Sequence, residues 1–272
     1  MTVAIEPGGA APALLREATQ RLRRAGIDNA QQEARWLFAA APAAEAFQRL
    51  VAARAARQPL QYLLGNTYFL DLELEVTPAT LIPRPETELL VHEAALRLGE
   101  GPTLALDAGT GSGCVAIGLT RRAPLCRMVA VERSLEALAV ARRNAQRCGV
   151  AGRVRFVAAD WCTALQGRAL FDALVSNPPY IPADDLGSLP PEVQHEPRLA
   201  LDGGADGMAI HRRLMADGAA LVRPGGWLLM EVGIGQAQPL AAWMRGARAW
   251  TPPAFVRDQQ GIDRILVTRR RG

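Results

Sequence analysis

The chain has 272 residues, 49% of them hydrophobic, which suits one large α/β domain with a smaller companion. No apolar run approaches the roughly eighteen residues of a membrane span, and residues 1–15 hold no arginine and no apolar core of a signal peptide, so a cytoplasmic protein is expected. All 31 basic residues are arginine against 27 acids, and the net charge of +4 is spread out, without the basic arm or stripe that dominates nonspecific nucleic-acid binding. Cys114, Cys126, Cys148 and Cys162 lack any C-x-x-C spacing, and His92, His195 and His211 form no ligand pattern beside them, which argues against a structural zinc and a disulfide framework.

Residues 12–58 are rich in alanine, leucine and arginine and read as three helices. The first runs over 13–25, with Leu14, Leu15, Ala18 and Leu22 on one side and Gly26 as a left-handed stop. Asp28 or Asn29 can cap the second, which carries Ala34, Leu37 and Phe38; the third covers 44–56 with Phe47, Leu50 and Val51 inward. A helical domain over 1–60 follows, with packing or partner recognition as its role, since nothing in it looks catalytic. From Tyr68 the period changes to two: Leu70, Leu72, Leu74 and Val76 alternate with Asp71, Glu73 and Glu75, as in half of a hairpin. Residues 61–85 therefore read as a β-hairpin and linker. The stretch Leu81-Ile82-Pro83-Arg84-Pro85-Glu86-Thr87-Glu88 is extended through its prolines and leads into a helix with Leu89, Leu90, Val91 and Leu96. It is either a rigid linker or a loop reaching over an active site.

Beyond Gly101 strands and helices alternate, as in a parallel sheet covered on both faces. Strands are expected over 104–107, 128–132, 154–157, 173–176 and 227–232, with further strands at 255–256 and 265–267. Helices are expected over 114–122, 135–148 and 208–221.

Asp107-Ala108-Gly109-Thr110-Gly111-Ser112-Gly113 closes the first of these strands and opens a helix, where glycines permit a tight turn and close approach of a ligand. A dinucleotide fingerprint would want its last glycine where Cys114 stands, which counts against NAD. Glu132 ends the next strand, where an acid can accept from both ribose hydroxyls. Asp160 and Trp161 follow the third strand, an acceptor and a flat ring suited to an adenine. Glu132 could instead cap the following helix, and Trp161 could be core.

Asn177-Pro178-Pro179-Tyr180 follows the apolar run Phe171-Asp172-Ala173-Leu174-Val175-Ser176. Two prolines stop the strand and stiffen the loop. The Asn177 side-chain carbonyl and the Pro178 backbone carbonyl become fixed acceptors beside the Tyr180 ring, a setting for a planar NH2 group. An ordinary proline-rich strand exit is the bland alternative.

On these residues the chain resembles the class I S-adenosylmethionine methyltransferases, and more closely the PrmC/HemK family. The similarity runs through Gln61-Tyr62-Leu63-Leu64-Gly65, the stretch 81–88, the glycine turn, Val175 to Ile181, Glu196-Pro197, Ala200-Leu201, Asp206-Gly207 and Pro224-Gly225-Gly226. It implies a Rossmann-like seven-stranded methyltransferase sheet with helices on both faces over 86–272, beside the helical domain and hairpin. It also implies transfer of a methyl group from S-adenosylmethionine to N5 of the glutamine in the Gly-Gly-Gln motif of class I peptide chain release factors, by a monomer that needs no metal. By position, cofactor contacts are expected at Asp107, Gly109, Thr110, Gly111, Ser112, Gly113, Glu132, Asp160, Trp161 and Asn177. Substrate contacts are expected at Asn177, Pro178, Pro179 and Tyr180, with Asn177, Pro178 and Tyr180 catalytic. Glu132 stands where the family more often has aspartate. His195 and His211 are assigned solvent or packing roles. A nucleic-acid amino-methyltransferase, a noncatalytic cofactor-binding protein and a nicotinamide dehydrogenase are the competing readings, the first because an exocyclic NH2 suits the same acceptors.

Overall fold

The structure, a computed structural model, describes residues 11–165 and 169–272; residues 1–10 of the expected N-terminal domain lie outside them. The chain divides into two compact units, Met1–Asn66 with Leu189–His195, and Thr67–Ser188 with Glu196–Gly272.

In the first unit α1 (Ala11–Arg24), α2 (Ala30–Ala40), α3 (Ala44–Ala55) and the short α4 (Leu60–Leu64) pack around Ala18, Leu22, Ala34, Leu37, Phe47 and Val51. The Phe38 and Phe47 rings meet edge to face at 5.2 Å. Helix α4 was not expected: the sequence reads as the start of the hairpin there, yet Pro59 precedes one helical turn and Gly65, at φ 78°, ends it. Arg54 is buried within this unit. Its Nε lies 2.6 Å from Glu33 Oε2 and its Nη1 2.9 Å from Glu192 Oε1, while Arg57 Nη2 donates to Glu192 Oε2 at 2.8 Å. These pairs hold the segment Leu189–His195 on the helices.

The second unit carries β1 (Asn66–Phe69), β2 (Leu72–Glu75), α5 (Pro85–Leu98), β3 (Thr103–Ala108), α6 (Cys114–Arg122), β4 (Cys126–Glu132), α7 (Leu135–Arg147), β5 (Val154–Ala158), β6 (Phe171–Ser176), α8 (Ala209–Leu221), β7 (Val222–Glu231), α9 (Ala237–Met244), β8 (Ala254–Arg257) and β9 (Asp263–Arg269). Strands β1 and β2 form the expected hairpin, but Leu70 sits in its turn at φ 55° rather than in a strand.

The large sheet has seven strands in the order β5-β4-β3-β6-β7-β9-β8, parallel except for β9, which runs antiparallel to both its neighbours. Strand β6 is buried on both faces: Ala173 and Val175 point into a core shared with α5 and α6, and Leu174 into one shared with α8 and α9. The central strands β3, β4 and β6 therefore end together at one edge, which sets the site there. Among the described residues no helix is long and apolar enough to cross a membrane.

Removing one partner of a buried ion cluster leaves the others uncompensated. Arg54→Ala is expected to destabilise the helical unit by about 3 kcal/mol or more in thermal or urea unfolding, and an unchanged midpoint would show that the cluster contributes nothing.

Candidate active site

The carboxyl ends of β3, β4 and β6, with the start of α5, enclose a cavity of about 260 Å³. Its wall includes Gly109, Thr110, Gly111, Ser112, Glu132, Trp161, Asn177 and Pro179. Most of the residues expected to bind a cofactor thus meet in one place. Asp107, Gly113, Asp160, Pro178 and Tyr180 do not line it.

For Asp107, Gly113 and Asp160 the neighbouring contacts give the reason. Asp107 is buried beneath the glycine turn, where its Oδ2 accepts from Thr110 Oγ1 at 2.6 Å and from the Ala116 backbone N–H at 3.2 Å. It ties the end of β3 to the first turn of α6. Its other oxygen, Oδ1, is buried without a hydrogen-bond partner among the described residues. Gly113 is the N-cap of α6. The Asp160 carboxylate is taken by Arg213, at 2.9 Å, and approached by Arg133 at 3.8 Å.

Trp161 adopts φ 53°, a left-handed conformation that bulky residues avoid. Its ring lies so close to the glycine turn that a Cβ on Gly109 would stand 2.8 Å from it. Any larger residue at 109 displaces the ring. The Glu132 carboxylate accepts from the Gly111 backbone N–H at 2.9 Å through Oε2, and from those of Arg133 and Ser134 at 2.8 and 2.9 Å through Oε1. It therefore holds the turn and the start of α7 while facing the cavity.

The Asn-Pro-Pro-Tyr loop is clamped from several sides. Ser176 Oγ donates to the Ala108 carbonyl at 2.6 Å, binding the end of β6 to β3. Asn177 Nδ2 donates to Thr87 Oγ1 at 3.0 Å, and Thr87 Oγ1 donates to Glu231 Oε2 at 2.7 Å. The Tyr180 hydroxyl lies 3.5 Å from Glu231 Oε1, and its backbone carbonyl accepts from Gln236 Nε2 at 2.8 Å. Gly207, at φ 71°, is packed on the Tyr180 carbonyl: a Cβ there would stand 2.4 Å from it, so the Asp-Gly pair is a packing requirement of the loop.

The 81–88 stretch forms part of the wall through Leu81, Pro83 and Thr87, as the stretch 197–200 does through Pro197, Leu199 and Ala200. Glu196, with a buried side chain, joins the two sides: its Oε2 accepts from the Ile82 backbone N–H at 3.1 Å and its Oε1 pairs with Arg84. Sequence reading missed Thr87 and Glu231 as site residues. Thr87 lay inside a motif already noticed; Glu231 carried no signal beyond ending a strand.

His211 is buried, with Nε2 at 2.8 Å from the Glu231 carbonyl oxygen, and burial lowers its pKa to about 4, so it packs as a neutral ring. Cys114 lines the cavity, but burial and the neighbouring Asp107 push its thiol up to about 12, which leaves no thiolate for nucleophilic chemistry.

The family model described as "Methyltransferase small domain" matches residues 86–187. The chain is 41% identical over 264 residues to a release factor glutamine methyltransferase of Geobacter sulfurreducens, covering 90% of this chain and 91% of that one. It is 40% identical over 277 residues to the protein of the same name in Moorella thermoacetica, covering 94% and 97%. Among solved structures, a methyltransferase from Pyrococcus furiosus superposes with a TM-score of 0.56 at 20% identity over 75% of this chain and 91% of that one, a likeness of fold.

Two buried carboxylates make the site sensitive to pH. Burial pushes Asp107 up to about 7 against its bonds to Thr110 and Ala116, and pushes Glu231 up to about 7 against its bond to Thr87. Each keeps a proton in the folded chain where the unfolded chain has released it. Their contribution to stability is therefore fully present below about pH 4 and lost as the pH rises through about 7. Glu231→Gln removes one of these groups. The stability of the wild type relative to this variant is expected to fall from about pH 5 to about pH 8 in urea titrations, and a constant difference would contradict the raised value.

Proposed function

The chain belongs to the release factor glutamine methyltransferase family, and from that premise we propose that it methylates the side-chain amide nitrogen of the glutamine in the Gly-Gly-Gln motif of class I peptide chain release factors. The observation that carries this reading is the presence of Asn177 and the glycine turn on one cavity wall. The helical unit is the surface proposed to recognise the protein substrate.

The residues fit S-adenosylmethionine. Glu132 offers a carboxylate to ribose hydroxyls, Trp161 a flat face to an adenine, and Gly109 to Ser112 a backbone that a ligand can approach. When bound, this cofactor supplies an electrophilic methyl group on sulfur.

A carboxamide nitrogen is a weak nucleophile because its lone pair is delocalised. The chain's task is therefore alignment and charge stabilisation. The Asn177 amide gives its NH2 to Thr87, so Oδ1 is the atom free to accept one N–H of the substrate amide. The Pro178 carbonyl is assigned the other. Both acceptors oppose the positive charge that develops on nitrogen as it gains the methyl group, after which one of its protons passes to solvent. Such positioning is worth roughly 7 to 11 kcal/mol in favourable intramolecular cases, and fixed dipoles facing the charge add to it. No general base has to act before the methyl moves, in keeping with the packed, neutral His211.

Purified protein with methyl-labelled cofactor is expected to label a release factor but not its glutamine-to-alanine variant, nor unmethylated DNA; label on DNA alone would overturn the substrate. Asn177→Ala is expected to slow transfer by roughly 10²- to 10³-fold, as when one preorganised dipole is lost. Near-normal turnover would remove Asn177 from its role. Glu132→Ala should weaken cofactor binding, measured by calorimetry, far more than it slows transfer at saturating cofactor; unchanged affinity would refute the ribose assignment.

A further inference from the structure

Asn177 can aid transfer only if its carbonyl, not its NH2, faces the substrate amide, because two NH2 groups have no acceptor between them. The side chain is nearly symmetric in shape, so packing alone does not choose between the two orientations. Hydrogen bonding does. Thr87 and Glu231 are each about 1% exposed and out of reach of bulk water. The ionised Glu231 carboxylate has only lone pairs to offer, and its Oε2 is 2.7 Å from Thr87 Oγ1. Thr87 has one hydroxyl proton, which this contact consumes. Its oxygen is left to accept, and the group 3.0 Å away must then be the Asn177 NH2. The direction of donation runs from Asn177 to Thr87 to Glu231 and permits one orientation of the amide.

We infer that Thr87, at the start of α5, and Glu231, at the end of β7, are positioning residues that act through Asn177 to keep its carbonyl turned toward the methyl acceptor. The inference rests on the role proposed above for Asn177.

A proton on Glu231 breaks this logic. The acid can donate to Thr87, whose own proton then turns to the Asn177 carbonyl and reverses the amide. Several groups bear on that proton. Thr87 and Glu86 face Glu231 from α5, the Tyr180 hydroxyl from the loop after β6, Arg264 from β9, and the His211 ring bonds its backbone carbonyl from α8. Burial dominates, followed by the bond to Thr87; the charges of Glu86 and Arg264 oppose one another, and the carboxyl titrates at about 7. An acid limb in the transfer rate near that pH is the consequence.

Steady-state kinetics on the full chain, with a release factor as acceptor, test this with Thr87→Val, Thr87→Ser and Glu231→Gln. Thr87→Val keeps the shape and removes the hydroxyl; it is expected to lower kcat by about 10- to 100-fold, the cost of a lost buried hydrogen bond, with cofactor affinity unchanged. Thr87→Ser should restore the rate. Glu231→Gln cannot ionise and, like the protonated acid, can donate to Thr87 as well as accept from it, so it should be slower than the wild type at alkaline pH and lack the acid limb. Equal rates for the valine and serine variants would overturn the inference, as would a fall in cofactor affinity matching the fall in rate, or an acid limb that survives in Glu231→Gln. If the wild type itself leaves the release factor unlabelled, the functional reading fails instead; a labelling wild type with an indifferent Thr87→Val sinks only the positioning role.

Discussion

Parallel pairing of β3 with β4 on one side and β6 on the other is the constraint on which the site depends. Three parallel strands cannot be joined by tight turns, so each must hand the chain to a crossover at the same edge. The glycine turn, Glu132 and Asn177 each occupy one of these strand ends, and side-chain bonds then fix them to one another. Ser176 donates to the end of β3, Glu132 accepts from the glycine turn, and the Gly109 and Thr110 N–H groups donate to the Val131 carbonyl at 2.9 Å. The wall of the cavity is thus an extension of the sheet's own hydrogen bonding.

Holding that wall still has a cost in burial. Asp107 and Glu231 sit in the core side of the site with few compensating charges, and Trp161 is kept in a backbone conformation that a side chain of its size avoids. A leucine or asparagine at these buried positions would relieve the desolvation. The carboxylates nevertheless organise what lies above them: Asp107 anchors Thr110 and the first turn of α6, and Glu231 anchors Thr87. Local cost exchanged for fixed geometry is the pattern expected where chemistry rather than stability chose the residue.

What the sequence makes legible follows from the range of the interactions. The strands of the large sheet stand out because burial on both faces demands short continuous apolar runs, as in Phe171 to Ser176. The glycine turn and Asn-Pro-Pro-Tyr are legible because backbone geometry demands those residue types in place. Thr87 and Glu231 are 144 positions apart, and no local pattern announces that their side chains meet. Nothing near Asp160 in sequence reveals that Arg213, 53 positions on, pairs with its carboxylate. The bond between Glu192 and Arg54, 138 positions apart, is equally silent, and with it the membership of Leu189–His195 in the helical unit.

The apolar part of the cavity wall limits how the site can discriminate. Leu81, Pro83, Pro197, Leu199 and Ala200 offer apolar surface, and Glu196 beside them spends its carboxylate on Ile82 and Arg84. With Asn177 and the Pro178 carbonyl in the roles proposed for them, the polar recognition at the reacting atoms is a pair of acceptors for a planar NH2, a demand that a carboxamide and a nucleobase amine both meet. A fold shared by many methyltransferases adds no preference between them. Selection of a protein glutamine must come from contacts made by the residues flanking it, since an apolar wall and two acceptors reward shape and donor geometry without reading which polymer carries the amide. The proposed roles then divide the labour: the sheet's edge aligns the nitrogen, and surfaces away from it choose the chain to which that nitrogen belongs.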